Sequence, residues 1–146
     1  MRRLLMGLLG GGLVCATLAG CELPNPFQSM VPTVPNPPGN LAFDRAACTK
    51  QYPPQIGNYV PHAQCVNAAV ERDAIPFARY PELVRLQEQL RLKYSTAIDA
   101  GALSPQAGAR KMTEADALVE ATMRDRDRGR NTVADHRMTA LQMMLE

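Results

Sequence analysis

The sequence predicts an all-α protein: a small antiparallel helical hairpin or bundle, with a disulfide-stapled N-terminal helical region and a proline-rich tether ahead of it. Three observations predict it. Between residues 80 and 146, apolar side chains recur at three- and four-residue spacing, the period of a helix buried on one face. No alternating run of useful length suggests a strand. Two cysteines, Cys48 and Cys65, stand with 16 residues between them ahead of that helical stretch.

The first segment is not part of the body. Arg2 and Arg3 precede an apolar stretch from Leu4 to Ala19, broken only by Thr17 and weakened as a helix by glycines at 7, 10, 11 and 12. A stable membrane-spanning helix needs about 20 apolar residues. This stretch is shorter and has the flanks of a secretory signal. It ends in Leu18, Ala19, Gly20 and Cys21. That run resembles the lipobox of bacterial lipoproteins: an aliphatic residue, two small ones, then cysteine. The resemblance implies that residues 1–20 are removed, that Cys21 receives a diacylglyceryl group, and that its new amine is acylated. One acyl chain holds a protein on a bilayer only marginally, each buried CH₂ adding about 0.8 kcal/mol, so two or three chains are needed. Cys15 is a rival position, excluded because bulky Val14 precedes it. Glu22 stands where an aspartate favours inner-membrane retention. Its presence implies the periplasmic face of the outer membrane, with the inner membrane or cell surface as alternatives.

Removal of the signal changes the charge argument. Arg2 and Arg3 leave with it, so 14 basic residues face 14 acidic ones in residues 21–146. A neutral body exerts no long-range pull on nucleic acid or anionic lipid, and no nucleic-acid partner is expected. The length allows one small domain. Cys48 and Cys65 are the cysteines left besides Cys21. In an exported protein the default for such a pair is a disulfide, worth about 3 kcal/mol for a loop of this size.

Residues 21–41 form the lipidated N-terminus and linker, and residues 42–146 the expected helical domain. Six prolines fall between Glu22 and Leu41. Proline removes backbone donors and fixes φ, which disfavours helix and central strand. An extended polyproline II spacer with a reach of up to roughly 60 Å is expected. Pro32 and Pro35 also make a P-x-x-P match, a weak signal for a recognition ligand.

Asp44 is expected to cap a short helix through Cys48, broken by Tyr52, Pro53 and Pro54. Pro61 suits the first turn of a second helix running to about Ala74 and stopped by Pro76. On it Cys65, Val66, Ala69 and Val70 lie near one face. A third helix is expected from Tyr80 and Pro81 to Asp99, with Leu83, Leu86, Leu90, Tyr94, Ala97 and Ile98 inward. Arg85, Glu88, Arg91 and Lys93 fall mostly elsewhere on its wheel. Gly101 suits a left-handed stop. Ser104 as N-cap and Pro105 at the first position begin a fourth helix. Its apolar face carries Met112, Ala115, Leu118, Val119 and Met123. The short connection predicts antiparallel packing. In residues 131–146, Ala134, Met138, Leu141 and Leu145 share a face with Met144 beside it, and Gly129 is a weak point ahead of them.

The turn at residues 99–112, DAGALSPQAGARKM, resembles a SHOCT-type bacterial helix hairpin through Gly101, Leu103, Ser104 and Lys111. The resemblance covers about fifteen residues and implies a hairpin, without an activity. The upstream helix is longer than in that family, and the family's acidic-aromatic pair is missing.

Reactive constellations are weak. His62 and Cys65 could place an imidazole beside a thiol, but a nucleophilic cysteine needs a reduced thiolate and a positioned base. Cys48, His62, Cys65 and His136 lack recognised zinc-ligand spacing. Methionines with histidine near the C-terminus could attract Cu(I), yet methionine is also an adaptable packing residue. The run RDRDRGR at residues 124–130 has a net charge of only +2. Its alternation scatters charge around a helix, as a solvated surface would, with a cell-wall polymer contact as the minority reading. No catalytic residue, cofactor or metal site is expected. The expected function is a non-enzymatic, membrane-anchored envelope lipoprotein that presents apolar helix faces to a protein partner or to itself. The alternative is a periplasmic binding module for a cell-wall polymer or metal ion.

Overall fold

The computed structural model describes residues 39–146. The expected signal segment, Cys21 and most of the expected tether lie outside the described residues. Five α-helices follow one another: α1 (Leu41–Gln51), α2 (Tyr59–Asp73), α3 (Pro81–Asp99), α4 (Pro105–Asp127) and α5 (Asn131–Met143). A 3₁₀ turn, Ile75–Phe77, joins α2 to α3. No strand occurs among the described residues. Each helix packs on its neighbour in sequence, and the fold is all-α as expected.

Helix α1 starts earlier than the expected cap at Asp44. Asn40 is the N-cap, its side-chain oxygen accepting from the Phe43 amide at 3.3 Å. Asn40 offers the same kind of acceptor one turn upstream, and Leu41 is buried there. Leu41, expected as the last residue of the tether, belongs instead to the helical body. Asp44 sits instead in the first turn, where a carboxylate suits the helix dipole, and pairs with Arg72 of α2.

The turn into α3 and the α3–α4 hairpin follow local chemistry. Pro76 sits inside the 3₁₀ turn and Pro81 opens α3. Gly101 has φ +72°. The amide of Ala102 bonds the Ala97 carbonyl at 2.9 Å, and that of Gly101 bonds Ile98. This pair of bonds is a Schellman stop. Ser104 Oγ accepts from the Ala107 amide at 3.2 Å, with Pro105 at the first helical position. Gly108 lets the helices close on each other. A Cβ there would meet Ile98 Cδ1 at 2.6 Å.

The same stop ends α4. Gly129 has φ +69°, and the Arg130 amide bonds the Asp125 carbonyl at 2.8 Å. The C-terminal helical stretch is thus broken at Gly129, and α5 turns back along α4.

The core falls into two clusters. One joins Leu83, Leu86, Leu90, Tyr94 and Ile98 of α3 to Met112, Ala115 and Val119 of α4, Leu141 of α5 and Tyr59. Met138, Met144 and Leu145 pack against it, as the spacing of α5 predicts. The other joins Leu41 and Cys48 of α1 to Val66, Ala69 and Val70 of α2, with Ala74, Ile75 and Val84. Met123 packs against both. Helix α3 is covered by α2 on one side and α4 on the other. Burial therefore reaches residues that fall outside its apolar stripe: Glu88 is 6% exposed and Arg91 1%.

Candidate functional site

The disulfide comes first, because it orders the N-terminal half. Cys48 and Cys65 are bonded, with Cα atoms 5.8 Å apart, and tie α1 to α2. One turn away, Thr49 Oγ1 and His62 Nε2 lie 3.2 Å apart. Burial first, then the Arg91 charge, lower the His62 pKa. Cys65 is in a disulfide, so the His62–Cys65 pair has no thiolate to offer a substrate. His136 is exposed on α5, and no cluster of three His, Cys, Asp or Glu side chains able to hold a metal occurs among the described residues.

A polar network lies between α1, α2, α3 and α4. Arg91 donates to Asn67 Oδ1, and Asn67 donates to the Glu88 carbonyl at 3.1 Å. Gln87 donates to Asp116 of α4 at 2.5 Å. Burial pulls Arg91 and Arg45 down to about 10, while the nearby Asp116 charge favours both cations. Burial, then the Glu71 carboxylate, push Glu88 up to about 7. The Nε and Nη2 atoms of Arg45 and Oε1 of Glu88 are buried without a hydrogen-bond partner. Such groups destabilise a fold; Arg45 lies on the disulfide-held α1 and Glu88 on α3.

Another carboxylate joins distant elements. Asp99, the last residue of α3, accepts from the amides of Gly57 at 2.7 Å, Tyr59 at 3.3 Å and Val60 at 2.8 Å. It caps the start of α2, where Asn58 makes no side-chain cap. Orphan amides at a helix start are thus satisfied from 40 residues away.

Three of the four arginines in the run pair within the chain. Arg124 pairs with Glu120, Arg126 with Glu82, and Arg130 with Asp125. Arg126 also lies over the Tyr80 ring, 5.3 Å from its centroid. Asp127 pairs with Arg79 and accepts from the Tyr80 hydroxyl at 2.9 Å. Buried Asp125 accepts from Arg137 at 2.9 Å. That hydrogen bond, with the charges of Arg130 and Arg137, outweighs burial and lowers the Asp125 pKa. The segment that reads in sequence as a solvated surface therefore ties the end of α4 to the starts of α3 and α5.

A concave surface lies elsewhere, where the C-terminal ends of α3 and α5 meet the start of α4. It is an open trough of about 550 Å³. Tyr94, Leu103, Met143 and Met144 supply much of its wall, with Lys93 and Lys111 at its border. Lys93 Nζ donates to the Met144 carbonyl at 3.0 Å, and Lys111 Nζ stands 5.8 Å from the Tyr94 ring centroid. Sequence reasoning missed this site. Its residues come from three separate segments, and on a helical wheel the two lysines read as ordinary solvated charges. The SHOCT-like match did include Leu103 and Lys111, which here face the same trough.

No family model, curated protein or solved structure matches this chain.

Proposed function

We propose that the protein is a bacterial envelope lipoprotein, moored by acyl chains on Cys21. In this reading the proline-rich segment holds the five-helix body off the bilayer, at the periplasmic face of the outer membrane. The body acts as an accessory or adaptor subunit, without catalysis of its own, and engages a protein partner through apolar helix surface. The observation that carries the reading is the Leu18-Ala19-Gly20-Cys21 run at the end of a signal-like segment. The Cys48–Cys65 bond supports it, since such bonds persist in oxidising compartments. Exposed Phe43, Ile56, Phe77, Val133 and Met143 supply apolar contact surface.

Metabolic labelling with an alkyne-bearing palmitate analogue tests the mooring. Wild-type protein should carry the label and pellet with membranes. Cys21→Ser should lose the label and leave the membrane pellet once the signal is cut. Equal labelling of the two proteins would refute lipidation at Cys21.

A further inference from the structure

The chain contains three lysines, and two of them border one trough. All eight ion pairs found among the described residues are made by arginines. The ammonium groups of Lys93 and Lys111 rest instead on a main-chain carbonyl and over an aromatic ring. An ammonium has three donors, so each retains capacity for an anion. No carboxylate lines the trough. The acid nearest by charge effect on Tyr94 is Glu114, one turn beyond Lys111 on α4. The same wall carries apolar, soft side chains: Leu103, Met144 and Met143, which is 60% exposed.

We propose that this trough docks an amphipathic helical segment of a partner protein, apolar side chains on Tyr94, Leu103, Met143 and Met144 and carboxylates on Lys93 and Lys111. The proposal rests on the adaptor reading above and names its contact. Charge complementarity selects an acidic occupant. The open shape selects a helix over an alkyl chain. An alkyl chain laid in an open trough leaves one side in water, whereas an amphipathic helix turns its polar side there. The α3 wall from Lys93 to Ala97 rises roughly 6 Å, about one turn of a docked helix. Methionines suit such a surface because they repack around different side chains.

The test is site-specific photocrosslinking of the full-length protein in its native membrane. A benzoyl-phenylalanine replaces Met143 in the trough or, as a control, exposed Phe77. The expected result is a protein adduct at Met143 that maps to a helical segment bearing Asp or Glu beside apolar residues. Lys93→Glu with Lys111→Glu should lower that adduct at least fivefold. Changing the mapped acids to lysine should restore it. Lys93→Gln with Lys111→Gln is the gentler variant and should lower it about threefold with the thermal melt unchanged. An adduct to lipid or to a second copy of this chain would overturn the proposal. So would a mapped segment without carboxylates, or indifference to charge reversal. Adducts at Phe77 with none at Met143 would remove the trough and leave the adaptor reading standing. No protein adduct at either position would count against both.

Discussion

The half built from α3, α4 and α5 and the half built from α1 and α2 are held by different means. In the first, Leu83, Leu90, Ile98, Met112 and Leu141 are fully enclosed, and three helices share one apolar cluster. In the second, small residues take a larger share: Ala69, Ala74, Val66 and Val70 stand beside Leu41 and Ile75. There the Cys48–Cys65 bond, a polar network around Arg91 and a cap supplied by Asp99 complete the structure. Alanine lets helices approach closely but buries little area, and burial contributes only about 25 cal/mol per Å². A small domain with little side-chain volume on one side needs a staple. The difference teaches that oxidation is part of folding for one half and incidental to the other.

Truncation in the apolar half should have the largest effect. Leu90→Ala removes a fully buried side chain and is expected to cost about 3–4 kcal/mol. Urea unfolding should show one cooperative transition at lower midpoint, with protection lost throughout. The double change Cys48→Ala with Cys65→Ala should follow at about 3 kcal/mol. Hydrogen exchange should rise first in α1 and the start of α2, while Leu90 and Ile98 stay protected. A uniform rise would erase the proposed division between halves.

Asp99→Ala tests the seam between them. Loss of a carboxylate that satisfies three amides is expected to cost about 2 kcal/mol. The amides of Tyr59 and Val60 should exchange faster in the variant. Glu88→Gln should act the other way and depend on pH. The folded Glu88 titrates near 7 because burial, then Glu71, raise it from an ordinary value of 4.5. Between those values the folded state binds the extra proton, so stability falls as pH rises from about 4.5 to about 7. Glu88→Gln removes that loss. A gain of about 1–2 kcal/mol at pH 8 and almost none at pH 4 is expected from thermal melts at the two pH values. Equal gains at both would show that desolvation of a carboxylate is not the cause.

Legibility in the sequence tracked how local each signal was. Gly101, Ser104 and Pro105 announce a stop and a start within five residues, and the hairpin forms there. The apolar faces of α3, α4 and α5 follow from helical spacing, and the cysteine pair follows from counting. The start of α1 was less legible because Asn40 and Asp44 both have capping chemistry one turn apart, and the burial of Leu41 decides between them. Burial of Glu88 and Arg91 depends on α2 covering the far side of α3, which no wheel of α3 alone reveals. Asp99 reaches amides 40 positions away. The arginines of residues 124–130 read as surface charge until the fold brings Glu82 and Tyr80 beside them. The trough is assembled from α3, the following turn, α4 and α5, so only the folded chain shows two of the three lysines together.

The proposed attachment at Cys21 underlies the account, and the intact mass of protein extracted from its native host tests it most directly. The expected species begins at Cys21, lacks residues 1–20, and is heavier than its chain by a glyceryl group with two or three acyl chains. A mass equal to the bare chain, starting anywhere, would contradict it.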